Sequence, residues 1–165
     1  MSDSSIIKVP LSGKRGAGLF AIVDAENEEL VSAHRWHANK GYAITSVPNL
    51  GGRSRHRPLP MHRLLMQAVV GMQVDHINGD RLDNRMSNLR FVTPAQNAQN
   101  ASMPSNNTSG FKGVRFHKDS GKWQTSIQCN GVTHYLGIYC TPQEASVVYQ
   151  AASLIHHGEY ARKIV

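Results

Sequence analysis

Short apolar runs alternate with polar turns along the whole chain, in three successive regimes. Up to residue 60 the runs IIKVPL, GLFAIV and GYAITSV are strand-like. Between the second and third, Asp24 to His34 predicts a short helix, with Asp24 as N-cap and Leu30, Val31 and His34 at helical spacing. NLGGRSRHRP, residues 49–58, predicts a Gly/Arg-rich loop whose three arginines suit either phosphate or solvent. In the second regime MHRLLMQAV predicts a short helix, VDHIN a strand running into the turn NGD, and LRFVT a second strand. Thr93 and Pro94 supply an N-cap and a proline at the first helical position, so PAQNAQNA starts a helix. SMPSNNTS, which follows, has linker composition.

The third regime holds three strand-like runs, FKGVRFH, KWQTSIQC and VTHYLGIY. Asn130-Gly131 joins the last two as a tight hairpin turn. Thr141-Pro142-Gln143-Glu144 is a capping box with proline at N1. Ala145, Val148, Tyr149, Ala152 and Ile155 then mark the core face of one amphipathic helix, with Gly158 placed to stop it. The expectation is an α+β protein in parts. Residues 1–60 form a small N-terminal α/β region, 61–101 a strand–loop–strand–helix centre, and 102–109 a linker. Residues 110–165 form a three-stranded antiparallel sheet plus helix.

Composition sharpens this. The 165 residues carry 18 Lys+Arg against 11 Asp+Glu, a net charge of +7. A polyanionic partner is therefore expected. The excess is +3 in residues 1–60, +1 in 61–100 and +3 in 101–165. No apolar run approaches the ~20 residues that span a bilayer, and MSDSSIIKVP lacks a signal-peptide core. A cytoplasmic protein of a bacterial or phage-infected cell, without membrane partners, is expected. The two cysteines, Cys129 and Cys140, form no CxxC pair, so a zinc ribbon is excluded. Gly13, Gly16 and Gly18 do not match the phosphate-binding GxxxxGK[ST] pattern.

Candidate chemistry collects in the middle. Asp75 is a hard anionic oxygen ligand and the Asn97 amide a neutral one, which leaves most of a magnesium octahedron to water and substrate phosphate. His76 has the pKa range of a general base, and Asn88 closes the polar loop. Asn78, Asp80, Asp83 and Asn84 are read as turn formers. Arg81, Arg85 and Arg90 suit phosphate or solvent equally. His62 suits packing or phosphate contact better than ligation, and His34 and His37 have no third ligand nearby.

VDHINGDRLDNRMSNLRFVT plus Asn97 resembles the HNH nucleases, with their ββα-metal fold. The resemblance implies His76 as general base, Asn88 as the structural middle position, and Asp75 and Asn97 as ligands of a divalent metal, Mg2+ or Mn2+. The third signature position is often histidine; here it is Asn97. IIKVPLSG, FAIVDAENEELV, Trp36, GYAITSV and MHRLLM together look like the N-terminal half of phage-type HNH homing endonucleases.

The C-terminal run from SGFKGVRFH to VVYQAA resembles the AP2 DNA-binding domain, through Gly113-Val114-Arg115, Gly121-Lys122-Trp123, Leu136-Gly137 and Glu144-Ala145. The resemblance implies a sheet face in the major groove, with Lys112, Arg115 and His117, Ser126 and Gln128, and Thr133 and Tyr135 at contact positions. Trp123 is expected under the sheet. The function expected is a site-specific DNA endonuclease of homing type. It would hydrolyse phosphodiester bonds of double-stranded DNA with a divalent metal and no small-molecule cofactor. The alternative is a non-catalytic, sequence-specific DNA-binding regulator with a degenerate motif.

Overall fold

The computed structural model describes residues 5–100, 103 and 106–161. The chain divides into two compact units, residues 1–93 and 94–165.

In the first unit, β1 (Ile6–Pro10) and β2 (Phe20–Asp24) form an antiparallel hairpin in which Ile7 faces Val23 and Val9 faces Ala21. The two-residue period sends these side chains inward and leaves Ile6, Lys8 and Phe20 outside. The glycine-rich stretch is the connection between these strands: Leu11 N–H donates to Leu19 C=O (3.0 Å). A short helix, α1 (Glu28–Ser32), follows and buries Val31. Trp36 then seats its indole N–H on the Val31 carbonyl at 2.8 Å.

A second antiparallel sheet has the order β3 (His37–Asn39), β4 (Tyr42–Pro48), β5 (His56–Pro60). Lys40 and Gly41 connect β3 to β4 in two residues, both with positive φ, as a primed hairpin turn requires. Helix α2 (Met61–Leu65) turns inward through Met61, His62 and Leu65. The strands expected at VDHIN and LRFVT are β6 (Gln73–His76) and β7 (Leu89–Val92), an antiparallel pair.

A single apolar cluster runs through Leu11, Ala21, Val23, Val31, Trp36, Ala43, Met61, Leu65 and Leu89. Residues 1–60 and the β6–β7 hairpin therefore share one core. Asp24, expected as a helix N-cap, makes no side-chain capping bond; β2 runs through it and its carboxylate serves elsewhere.

The second unit opens with α3 (Pro94–Asn100). Of the expected linker 102–109, residues 102, 104 and 105 lie outside the described residues. Asn107 and Ser109 form a hydrogen-bonded turn leading into the sheet. That sheet is antiparallel, in the order β10 (Val132–Tyr139), β9 (Lys122–Cys129), β8 (Val114–His117). Helix α4 (Pro142–His157) packs on one face, where Ile127, Tyr149, Ala152 and Leu136 meet. Its capping box forms in both directions, Glu144 N–H to Thr141 Oγ1 and Thr141 N–H to Glu144 Oε2, each 3.2 Å. Ile155 is 80% exposed and does not belong to the core face. At 3.6 residues per turn it lies off one edge of the Ala145–Tyr149–Ala152 line, while the buried face extends past the opposite edge to Ser146, Ser153 and His157.

Candidate active site

The turn residues between β6 and β7 bond chiefly to one another. Asp80 N–H donates to Asn78 Oδ1 (2.8 Å) and Leu82 N–H to Asp80 Oδ1 (2.9 Å). Asn88 spans the loop: its amide donates to Asn78 Oδ1 (3.0 Å) and Asp83 C=O (2.7 Å), and its oxygen accepts from Asn78 N–H (3.0 Å). Asp83, nearly fully buried, accepts a bidentate pair from Arg85 at 2.8 and 2.7 Å and an Asn78 amide bond at 2.9 Å. These charge-assisted bonds hold the Asp83 carboxyl below its ordinary pKa.

A second clamp comes from β2. Ile22 N–H donates to Leu82 C=O (2.8 Å) and Ile22 C=O accepts from Asn84 N–H (2.7 Å), so the loop adds a short parallel bridge to the hairpin edge. Asp24 Oδ2 accepts from Met86 N–H at 2.7 Å. The N-terminal hairpin is thus the support on which the loop is laid, a role that strand periodicity alone does not disclose.

His76 ends β6 and is buried. Its Nε2 lies 3.3 Å from Asn84 Oδ1, and its ring packs edge-on against His62, with centroids 5.0 Å apart. Tyr42 completes the aromatic cluster, 5.2 Å from His62 and 6.0 Å from His76, and carries the Arg81 guanidinium over its ring at 4.6 Å. Burial lowers the His76 pKa, against the raising effect of Asn84 and of the carboxylates of Asp75, Asp80 and Asp83. Neutral imidazole is the form that accepts a proton. His62 is pushed down to about 3, first by burial, then by the charges of His76 and Arg63. Packing is thus the role the geometry gives His62. Arg63 donates to the carbonyls of Ala68, Val69 and Met72 and so shapes the approach to β6.

Asp75 points the other way from β6, as the strand period requires. It stands in register with Arg90, whose Nε and Nη2 reach Oδ2 at 3.2 and 2.9 Å. A carboxylate offers two oxygens and about four lone-pair sites, so the guanidinium orients Asp75 without exhausting it. Among the described residues no three His, Cys, Asp or Glu side chains cluster to hold a metal. The donors present are hard oxygens, and they fit a cation that takes its other ligands from water and phosphate. Asn97 lies on α3, in the second unit.

Six of the seven positions expected to contact DNA share the sheet face opposite α4. Arg115 pairs with Gln124, His117 with Lys122, Thr133 with Gln128 and Tyr135 with Ser126. The helix-facing set alternates with them: Val114 opposite Thr125, Phe116 opposite Trp123. Leu136 alternates with Tyr135 into the core, and the register shifts between Tyr135 and Gly137, so that Gly137 faces Thr125. Lys112 is the exception. It precedes β8, and its ammonium donates to the Gln99 carbonyl at 2.6 Å, because the chain has not yet entered the sheet there.

A buried Asp-His strand end thus stands beside a loop stapled by asparagines. Residues 60–99 match the family described as HNH endonuclease. The chain is 33% identical over 160 residues to an uncharacterized HNH endonuclease of Acanthamoeba polyphaga mimivirus, across 95% of this chain and 80% of that one. It is 30% identical over 92 residues to Protein 3.8 of Escherichia phage T7, across 56% of this chain and 75% of that one. No solved structure matches it significantly. The chain belongs to the HNH endonuclease family. Membership implies a nuclease, a hydrolase acting on DNA, in a family that typically uses a divalent metal.

Asn84 does not stand out in the sequence as a functional position, and Arg90, expected at phosphate or in solvent, is paired with Asp75 instead. Asn84 lies among turn formers, and its contact with His76 depends on how β2 carries the loop. For Arg90 the signal is the β6–β7 register, which sets it opposite Asp75.

Proposed function

We propose that the protein is a site-specific DNA endonuclease of homing type, with cutting assigned to Asp75, His76 and Asn97 and DNA recognition to the sheet of the second unit. The observation that carries the reading is the buried His76, its pKa lowered, at a strand end beside the Arg90-oriented Asp75. His76 takes the proton of the attacking water; water oxygen bonds to phosphorus, the bond from phosphorus to the 3′ oxygen breaks, and that oxygen takes a proton from solvent, giving a 5′ phosphate and a 3′ hydroxyl. Asp75 and Asn97 are the proposed ligands of the divalent ion. When bound, that ion stabilises charge on the phosphate and leaving oxygen. Asn88 holds the loop that carries the site.

The face bearing Arg115, His117, Ser126, Gln128, Thr133 and Tyr135 has the size and polarity of a major-groove reader, in the manner of an AP2 domain. Its charge, with the basic excess of residues 1–60, supplies salt-dependent attraction to phosphate.

Nicking of supercoiled plasmid in magnesium, abolished by EDTA, tests the activity. His76→Ala is expected to reduce cutting by about 10²–10⁴-fold while leaving DNA binding intact. Cutting at the wild-type rate would refute the assignment of the base. Binding by the wild-type protein without metal-dependent cutting would favour a DNA-binding regulator instead.

A further inference from the structure

A cleft of about 540 Å³ opens in the first unit where the chain leaves α1 for the second sheet, lined by Ser12, His34, Arg35, His37, Thr45 and Ser46. Its walls are held in place. Ser12 forms a parallel bridge with His37, and its N–H and its hydroxyl both donate to the Trp36 carbonyl at 2.7 Å. The His34 ring stands edge-on to Trp36, with centroids 5.7 Å apart. Thr45 shares a face of β4 with Ala43; Ala43 belongs to the apolar core, and Thr45 lines the cleft. Thr45 is only 4% exposed, yet its hydroxyl has no hydrogen-bond partner among the described residues. A shielded hydroxyl without a partner is costly, and an acceptor in the cleft would relieve it.

The lining is rich in donors: the ring N–H groups of His34 and His37, the guanidinium fork of Arg35, and the hydroxyls of Thr45 and Ser46. Among the described residues, His34, Arg35 and His37 make no salt bridge, and the sequence from Leu30 to Val74 contains no Asp or Glu. Donors without a carboxylate to answer them select an oxyanion, and the Arg35 fork matches the oxygens of a phosphate. The connection that leaves Ser12 adds Lys14 and Arg15, both exposed. Positive charge that continues past the cleft suits an anion that continues too, a phosphodiester chain. The cleft is separate from the His76 cluster. Tyr42, which packs against His76, lies three residues from Thr45 on β4, on the opposite face and about 10 Å along the strand.

From this we infer that the cleft of His34, Arg35, His37 and Thr45 binds a backbone phosphate of DNA away from the bond that is cut. The inference rests on the reading of DNA as this protein's ligand, and the test separates the two.

In the full-length protein, inorganic phosphate added at fixed pH and ionic strength should shift the His34 and His37 imidazole NMR signals in a saturable way. A DNA duplex should shift the same signals. Thr45→Val, which keeps the shape and removes the hydroxyl, should weaken the response to phosphate. Arg35→Gln, at an exposed position, should raise the Kd for DNA by about tenfold. It should also lower the log–log salt slope by about 0.9 and leave kcat at saturating DNA unchanged. Signals that move with neither phosphate nor duplex overturn the inference. Unchanged Kd and salt slope in Arg35→Gln overturn it too; if phosphate still shifts the signals, the cleft serves a free phosphate compound instead of DNA. A slope lost in Arg35→Gln, in a wild-type protein that binds DNA without metal-dependent cutting, upholds the cleft and refutes the endonuclease.

Discussion

Arg90 lies directly across the β6–β7 ladder from Asp75 and reaches one carboxylate oxygen through both Nε and Nη2. Both side chains are largely shielded, 14% and 10% exposed. Removing the guanidinium takes a two-pronged, charge-assisted bond from a shielded carboxylate. Arg90→Met should therefore cost about 3 kcal/mol of folding stability, read from urea unfolding. Arg90→Lys keeps the charge but not the two-pronged geometry and should fall between. Coincident unfolding curves for wild type and Arg90→Met would show that the pair does not matter to the fold.

Acid sensitivity should come in part from His62. Its folded-state pKa of about 3 lies below the ordinary 6.5, so the unfolded chain binds the proton first as pH falls. The stability this group contributes is complete above pH 6.5 and is lost as pH drops from there toward 3. The limiting slope is about 1.4 kcal/mol per pH unit for one proton. His62→Phe keeps an aromatic ring against His76 and removes the titration. Its stability should fall less steeply across that window; parallel curves for the two proteins would refute this origin of the acid sensitivity.

The β4–β5 connection bears Arg53 and Arg55, and β5 itself bears Arg57, all exposed. From Leu30 to Val74 the chain has no Asp or Glu, so nothing nearby in sequence neutralises these cations. Replacing all three with Gln should weaken DNA binding at every sequence alike. It should also flatten the log–log salt dependence, by up to about 0.9 for each phosphate that the loop neutralises. An unchanged salt slope in a filter-binding titration would place the loop away from DNA.

Gly113 has φ +73, and a Cβ there would fall 2.0 Å from the Tyr149 ring. The left-handed backbone and the close approach of α4 both demand glycine. Gly113→Ala should lower the melting temperature of the protein, at a cost of about 1–3 kcal/mol for the overpacking alone. A melting curve equal to wild type would contradict the packing of Tyr149 over that turn.

Strand and helix positions are legible in the sequence wherever period and punctuation agree. Asn130-Gly131 has positive φ at both residues, as its hairpin requires, and the Thr141–Glu144 box forms in full. Ile155 shows the limit: its spacing is helical, yet the sheet beneath α4 decides how far the buried face extends. Asp24 shows another. An Asp before a short helix resembles a cap, and only the approach of Met86, far along the chain, reveals its partner. Lys112 sits in a strand-like run, but β8 starts two residues later and leaves its ammonium against Gln99.

By itself the sequence determined the family signature, because Asp75, His76, Asn88 and Asn97 are read at their spacings along one line. It also determined the alternation that sends Asp75 and His76 to opposite sides of β6, since a strand's period is two. Tertiary structure alone decided what each of them meets. Arg90 reaches Asp75 through strand register. Asn84, His62 and Tyr42 reach His76 through the packing of a loop, a helix and a separate sheet. Those partners come from segments whose proximity depends on burying one shared core, and no local pattern of residues encodes that proximity.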